Sequence, residues 1–322
     1  MKFVSIPTSG MSWSGVLAYS FDTELDEATD VDIGIFDAQT DEVIATKRLY
    51  GVVAAEVDIA PILRSISDSR IVLGGRTSIM TSPLSRQVVV EIMGVRSEAR
   101  VFCAVQRDIT KAELLSRIPT GQTVSRNDLI VFSVAAPDTL TMRIEAHTSL
   151  SMRTYNFSKI TGSMPCDVVI NVRDYSRDVN RIVLYISNVG EEIGMLTYNV
   201  VDNANTGRVL MWRNWQGGIE SYRFPRHIPI TQGATVDRFA THDGVEAILR
   251  SATLKSRLCS AMERSDEIER ISQIVFAPYV YELKNQKLTD VELVTRSIDR
   301  SKHGELQTIA LDICSEWKGG ES

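Results

Sequence analysis

Leu140-Thr141-Met142-Arg143-Ile144-Glu145-Ala146-His147 alternates apolar and polar side chains along its whole length. Val31-Asp32-Ile33-Gly34-Ile35 and Ile309-Ala310-Leu311-Asp312-Ile313 repeat the pattern near either end of the chain. A period of two sets one apolar face on a core and one face toward solvent, the signature of antiparallel strands rather than parallel sheets buried on both sides. Sandwiches or barrels follow from it.

Shorter unbroken runs, Gln87-Val88-Val89-Val90-Glu91 and Arg181-Ile182-Val183-Leu184-Tyr185-Ile186, are rich in β-branched residues and read as central strands. Turn candidates separate them at Asp37 to Asp41, Leu73-Gly74-Gly75-Arg76, Pro119-Thr120-Gly121 and Asp202 to Gly207. Helices are few. Ile59 to Ile66 could make a turn or two after Pro61, and Thr110 with Glu113 forms a capping box ahead of Leu114-Leu115. The clearest helix starts at Asp266, boxed by Glu269, with Ile268, Ile271, Ile274 and Val275 at helical spacing until Pro278. That stripe reads as core packing.

With 322 residues, the chain is longer than single cores usually grow, so two or three domains are expected. The expected class is mainly β: a sandwich-like antiparallel domain over 1–107, a second over 108–201, and a smaller α+β domain over 202–322 with an aromatic hairpin and one amphipathic helix. The tail from Lys318 to Ser322 reads as frayed.

Composition narrows the function classes. Apolar residues at 43% and charged residues at 24% describe a folded globular protein. The net charge of -6, from 35 basic and 41 acidic residues, comes without a basic stripe, which argues against nucleic acid. The start of the chain lacks the apolar run of a cleaved signal, and nothing reaches the roughly 18 apolar residues of a membrane span, so cytoplasmic synthesis without membrane insertion is expected.

Cys103, Cys166, Cys259 and Cys314 are far apart and lack C-x-x-C pairing, which suits buried free thiols. His147, His227, His242 and His303 are scattered, and His242-Asp243-Gly244 is read as a turn. Phosphate-binding loops and the G-x-S-x-G elbow are missing. Glu24, Asp26, Glu27, Asp30 and Asp32 lack the spacing of an EF-hand loop and read as a solvated segment. No catalytic, metal or cofactor residue is assigned, although paired carboxylates for glycoside hydrolysis can come from distant strands.

One segment stands apart: Leu210-Met211-Trp212-Arg213-Asn214-Trp215-Gln216-Gly217-Gly218-Ile219-Glu220-Ser221-Tyr222-Arg223-Phe224-Pro225. Two tryptophans precede a Gly-Gly suited to a tight positive-φ turn, and Glu220, Tyr222 and Phe224 alternate after it, so it reads as an aromatic hairpin. Trp212, Tyr222 and Phe224 either fill the third domain's core or face outward as a carbohydrate or protein contact.

The pattern of Trp212, Asn214, Gly217, Gly218, Glu220, Tyr222 and Phe224 resembles a motif of tail and baseplate-type proteins of phages and prophages of gut bacteria. Ile268 to Pro278, Tyr279 to Leu283, a turn at Lys284 to Lys287, Leu288 to Leu293 and a last strand from Glu305 to Glu316 are similar to the element order following that hairpin in those proteins. Ala277 stands where a Ser is expected. The resemblance covers mainly Gly207 to Glu316 and implies a virion structural role without catalysis, with copies of itself and other tail or assembly proteins as partners. A surface-glycan adhesion module acting through Trp212, Trp215 or Trp13 is the alternative, and a glycosidase-like enzyme a third.

Overall fold

The computed structural model describes residues 1–7, 17–103, 111–117, 121–162, 164–202, 207–241, 244–295, 298, 300–303 and 305–318, with backbone alone for 231–253, 301–303 and 316–318. Trp13, Thr110, Pro119-Thr120, Asn203 to Thr206, His242-Asp243 and the tail from Gly319 lie outside the described residues.

The molecule is mainly β and its sheets are antiparallel almost throughout. Near the N-terminus, a sheet of Lys2–Ser5, Ala18–Asp22 and Ala54–Asp58 faces a second of Val43–Val52, Thr29–Asp37, Ser85–Ile92 and Val95–Arg96, with Arg100–Cys103 also paired to Ser85–Ile92. The alternating Val31, Ile33 and Ile35 point into the space between them, against Tyr19, Phe21, Val88 and Val90. Helix α1, Ala60–Ile66, carries Pro61 in its first turn, where a missing N–H costs nothing, and buries Leu63 in the same core.

The next sandwich pairs an outer and an inner sheet. The outer sheet runs Gln122–Ser125, Glu191–Val201, Arg181–Asn188, Thr139–His147 and Met152–Ile160. Its first pair, Gln122–Ser125 with Glu191–Val201, is parallel. Leu140, Met142, Ile144 and Ala146 turn one face inward as their spacing predicts. The inner sheet is Glu113–Leu114, Leu129–Ala135, Cys166–Asn171 and Ser78–Thr81, so its edge strand comes from within 1–107.

Here the alternation rule misses something. Leu129–Ala135 and Cys166–Asn171 are buried at every position. Ile130, Phe132, Val168 and Ile170 pack on the outer sheet, while Leu129, Val131 and Val169 pack on Val209, Met211, Ile219, Tyr281 and Leu283 of a third layer. An antiparallel sheet thus has both faces covered, and one layer serves two cores. Each large aliphatic side chain so buried stabilises by roughly 1.5–3 kcal/mol.

That third layer, the motif sheet, runs Ile219–Phe224, Arg208–Arg213, Val280–Lys284 and Lys287–Asp290. Its far face packs against helix α2, Ser265–Ser272, and a last sheet of Arg226–Thr241, Gly244–Cys259, Leu306–Lys318 and Glu263–Arg264. Lys284 to Lys287 is the tight turn expected, with Asn285 and Gln286 both at positive φ.

Two helix expectations are corrected. Glu113–Leu114 is a strand paired to Ala135 and Val134, because Leu115 N–H and the carbonyl of Ser133 extend that ladder. Helix α2 starts ahead of Asp266: Arg264 is its N-cap, and Glu267 reaches back to the Arg264 N–H at 3.4 Å. Asp266 instead lies 3.7 Å from Arg270 one turn on.

Candidate functional site

Trp212 to Phe224 folds as the expected hairpin, in register from Arg213 opposite Ile219 to Arg208 opposite Phe224. Gly217 sits at φ +81°, the left-handed region that favours glycine. Asn214 locks the turn. Its Oδ1 accepts the N–H groups of Gln216 at 2.9 Å and Gly218 at 3.0 Å, and its Nδ2 donates to the Leu115 carbonyl at 2.9 Å and Glu220 Oε1 at 2.5 Å. Both donors and both acceptor sites of the amide are used. Gly218 lies so close to the inner sheet that a Cβ there would stand 2.4 Å from the Leu115 carbonyl carbon.

Beside the turn runs a buried polar network that joins the two sheets. Arg213 and Asp167, both essentially excluded from solvent, face each other across the layers, with Nη2 to Oδ2 at 2.7 Å and Nη1 to Oδ1 at 3.4 Å. Nη1 also donates to the Gly217 carbonyl at 2.8 Å. Asp167 accepts from Ser133 Oγ at 2.6 Å, Ser133 Oγ accepts the Ile219 N–H at 3.0 Å, and Ser116 Oγ donates to the Ile219 carbonyl at 2.5 Å. A buried charge needs such company, because desolvation costs several kcal/mol per ion.

Glu220 is a further buried ionisable group. It accepts the Arg117 N–H at 2.7 Å as well as Asn214 Nδ2. Burial pushes its carboxyl from the ordinary 4.5 up to about 7, against the pull of those hydrogen bonds and of the Arg270 and Arg117 charges. The folded state therefore holds a proton that the unfolded chain releases between about pH 4.5 and 7. This contribution to stability is complete below the ordinary value and is lost as pH rises through the folded one. Urea unfolding is expected to show Glu220→Gln gaining on the native chain by on the order of 3 kcal/mol between pH 5 and pH 8. Parallel pH profiles for the two proteins would refute it.

The aromatics divide. Trp212, Tyr222 and Phe224 are core residues, packed with Leu258, Ile268, Ile271 and Ile309. Tyr222 and Phe224 meet edge to face at 5.0 Å, and the Tyr222 hydroxyl donates to Glu263 at 2.8 Å. Of the residues picked out as an interaction or structural motif, Trp212, Asn214, Gly217, Gly218, Glu220, Tyr222 and Phe224 are therefore internal, and of the two readings of Trp212, Tyr222 and Phe224 it is the core one that describes their packing. Trp215 alone is open, 45% exposed at the tip of the turn. It borders a cleft of about 650 Å³ lined also by Glu269, Ser272, Gln273, Phe276 and Arg300. The sequence reading missed the motif's partners Leu115, Ser116, Arg117, Ser133 and Asp167, which are about fifty to a hundred residues away and carry no local signal.

All four cysteines are free thiols, with Cys103 and Cys166 buried. Burial pushes both thiols up, Cys166 to about 11. Among the described residues no group of three or more His, Cys, Asp or Glu side chains is gathered for a metal, and no helix is long and apolar enough to cross a membrane.

No protein-family model and no curated protein matches the chain. Solved structures with some likeness include calcium-binding domain CBD12 of CALX1.1, at 9% identity over 54% of this chain and 72% of that one, with a TM-score of 0.16. The FN1-FN3 domains of chicken CNTN1 align at 10% identity over 63% of this chain and 66% of theirs, with a TM-score of 0.18. Domains 4-9 of the surface layer protein SbsC align at 12% identity over 96% of this chain, which spans 42% of that structure, with a TM-score of 0.22. At such scores no function passes from them to this chain.

Proposed function

We propose that this chain is a non-enzymatic structural or assembly protein of a virion, a tail or baseplate component that packs on copies of itself and on other assembly proteins. The similarity of the Trp212 to Phe224 pattern to such proteins supports it. The observation that carries it is a ribbon. Arg226–Thr241 and Gly244–Cys259 pair along their whole length, but Leu306–Lys318 joins them only from Ser251 onward. Gly244 to Arg250, with Val236 to Thr241 opposite, thus runs about 23 Å as two strands, at about 3.3 Å per residue. Among the described residues no third strand pairs with this stretch or with the outer edge of Arg226–Thr241. Two strands alone are marginal in water, and a bare edge is a template for another strand. A second copy of the chain supplies such a strand in a symmetric assembly.

Mass in solution over a range of concentrations tests this. The intact chain is expected at a defined multiple of its monomer mass, and a variant with residues 238–248 replaced by Asn-Gly is expected folded and monomeric. A strict monomer at high concentration would sink the reading. A second reading, adhesion to a cell-surface glycan, is favoured by one observation, the exposed Trp215 beside its cleft.

A further inference from the structure

We propose that the cleft between the 214–217 turn and residues 269–276 binds a neutral oligosaccharide, with one sugar ring stacked on the Trp215 indole. This goes beyond the assembly role, does not depend on it, and gives the adhesion reading a site and a ligand class.

The presentation of Trp215 is the first ground. Its neighbours Asn214 and Gln216 are buried, the Gln216 N–H is held by Asn214 Oδ1, and the turn is closed by Gly217 N–H to the Asn214 carbonyl at 2.9 Å. The main chain under the indole is fixed by contacts that also join two sheets. A large planar group on a rigid support loses little freedom when a ligand lands on it. Trp215 is open while the residues on either side of it are not, so its exposure is set by the fold.

The opposite wall supplies polar complementarity. Glu269 and Gln273 stand four residues apart along α2 and its 3-10 extension, so they project from one face. Among the described residues neither side chain has a hydrogen-bond or ion-pair partner. Arg300 Nη2 lies 3.4 Å from Ser272 Oγ on the same wall, and Phe276, 83% exposed, adds a second aromatic at the cleft. Planar carboxylate, amide and guanidinium groups bond adjacent hydroxyls in pairs, while the C–H face of a pyranose suits the electron-rich face of an indole. Arg213, which also borders the cleft, is neutralised by Asp167 behind it, and Glu269 offsets Arg300, so the cleft carries no net charge, which favours a neutral sugar over an anionic one. The volume of about 650 Å³ lies within the roughly 300–1,000 Å³ of small-ligand pockets. A flat patch of about 800 Å² per partner, which a second copy would need, is a different kind of surface.

The test is titration of the full chain with trisaccharides of glucose, galactose, mannose and N-acetylglucosamine, followed by tryptophan fluorescence and calorimetry. At least one sugar is expected to half-saturate at or below about 1 mM. Trp215→Ala should weaken it at least about tenfold with an unchanged unfolding midpoint, and Glu269→Ala should weaken it without altering the fluorescence of the free protein. No response from any of the four sugars, or equal affinity in Trp215→Ala, overturns the proposal. A fall in solution mass caused by Trp215→Ala would also overturn it, by showing that a second copy fills the cleft. Binding and mass are read separately, so failure here leaves the assembly reading standing.

Discussion

Gly218→Ala is expected to destabilise the fold by at least about 3 kcal/mol, at or beyond the upper end of what overpacking usually costs. The added methyl would meet the Leu115 carbonyl carbon and oxygen at 2.4 Å and the Ser116 nitrogen at 2.7 Å, all main-chain atoms with no rotamer to escape into. Relief requires the hairpin to back away from the inner sheet. That movement lengthens Ser116 to Ile219, Arg117 to Glu220 and Asn214 to Leu115 together. Gly75→Ala is the control: a Cβ there meets nothing within 4 Å, and a change within about 0.5 kcal/mol is expected. Denaturant unfolding of both variants decides the matter, and equal midpoints would show that the layers are not in the contact described.

Breaking the pair between Arg213 and Asp167 is the second large effect. Asp167→Ala leaves a guanidinium almost wholly out of water with only the Gly217 carbonyl to accept from it, and strands Ser133 Oγ without its acceptor. A loss of about 3–5 kcal/mol is expected, as for other buried pairs deprived of one partner. Arg213→Met combined with Asp167→Leu removes both charges while keeping volume, and should recover most of that loss. The double-mutant cycle separates the pair's own coupling from the penalty of an orphaned charge. A double variant as unstable as the single one would mean that shape, not charge, holds the layers together here.

What could be read from the sequence was local. Val31 to Ile35, Leu140 to His147 and Ile309 to Ile313 alternate because each strand has one face on a core, and each is a strand in the structure. The turn at Lys284 to Lys287 is expected from the resembling element order rather than from local alternation, and the structure has a turn there. The capping-box spacing of Thr110 and Glu113 misled, since Glu113 and Leu114 gain more from pairing with Val134 and Ala135 than a single helical turn returns. The hairpin was found but its orientation was not. Nothing within Trp212 to Phe224 states that Asp167, 46 residues away, or Ser116, 103 residues away, waits on the other side. Stacking of a third layer onto the inner sheet is a long-range choice, and an antiparallel strand with both faces covered leaves no period to read.

The sharing of the inner sheet by two cores has a consequence during synthesis. Cys166–Asn171 leaves the ribosome 53 residues ahead of Phe224, roughly 3–10 s at about 5–20 residues per second. Through that interval Val131 and Val169 have only Ile71, Leu73 and Met80 of their cluster beside them, and the nascent polypeptide carries a largely bare greasy sheet surface in need of shelter from chaperones or neighbouring chains. Ribosome pausing or a premature stop between those points would prolong the vulnerable state, and tertiary closure waits for the tryptophan hairpin to emerge.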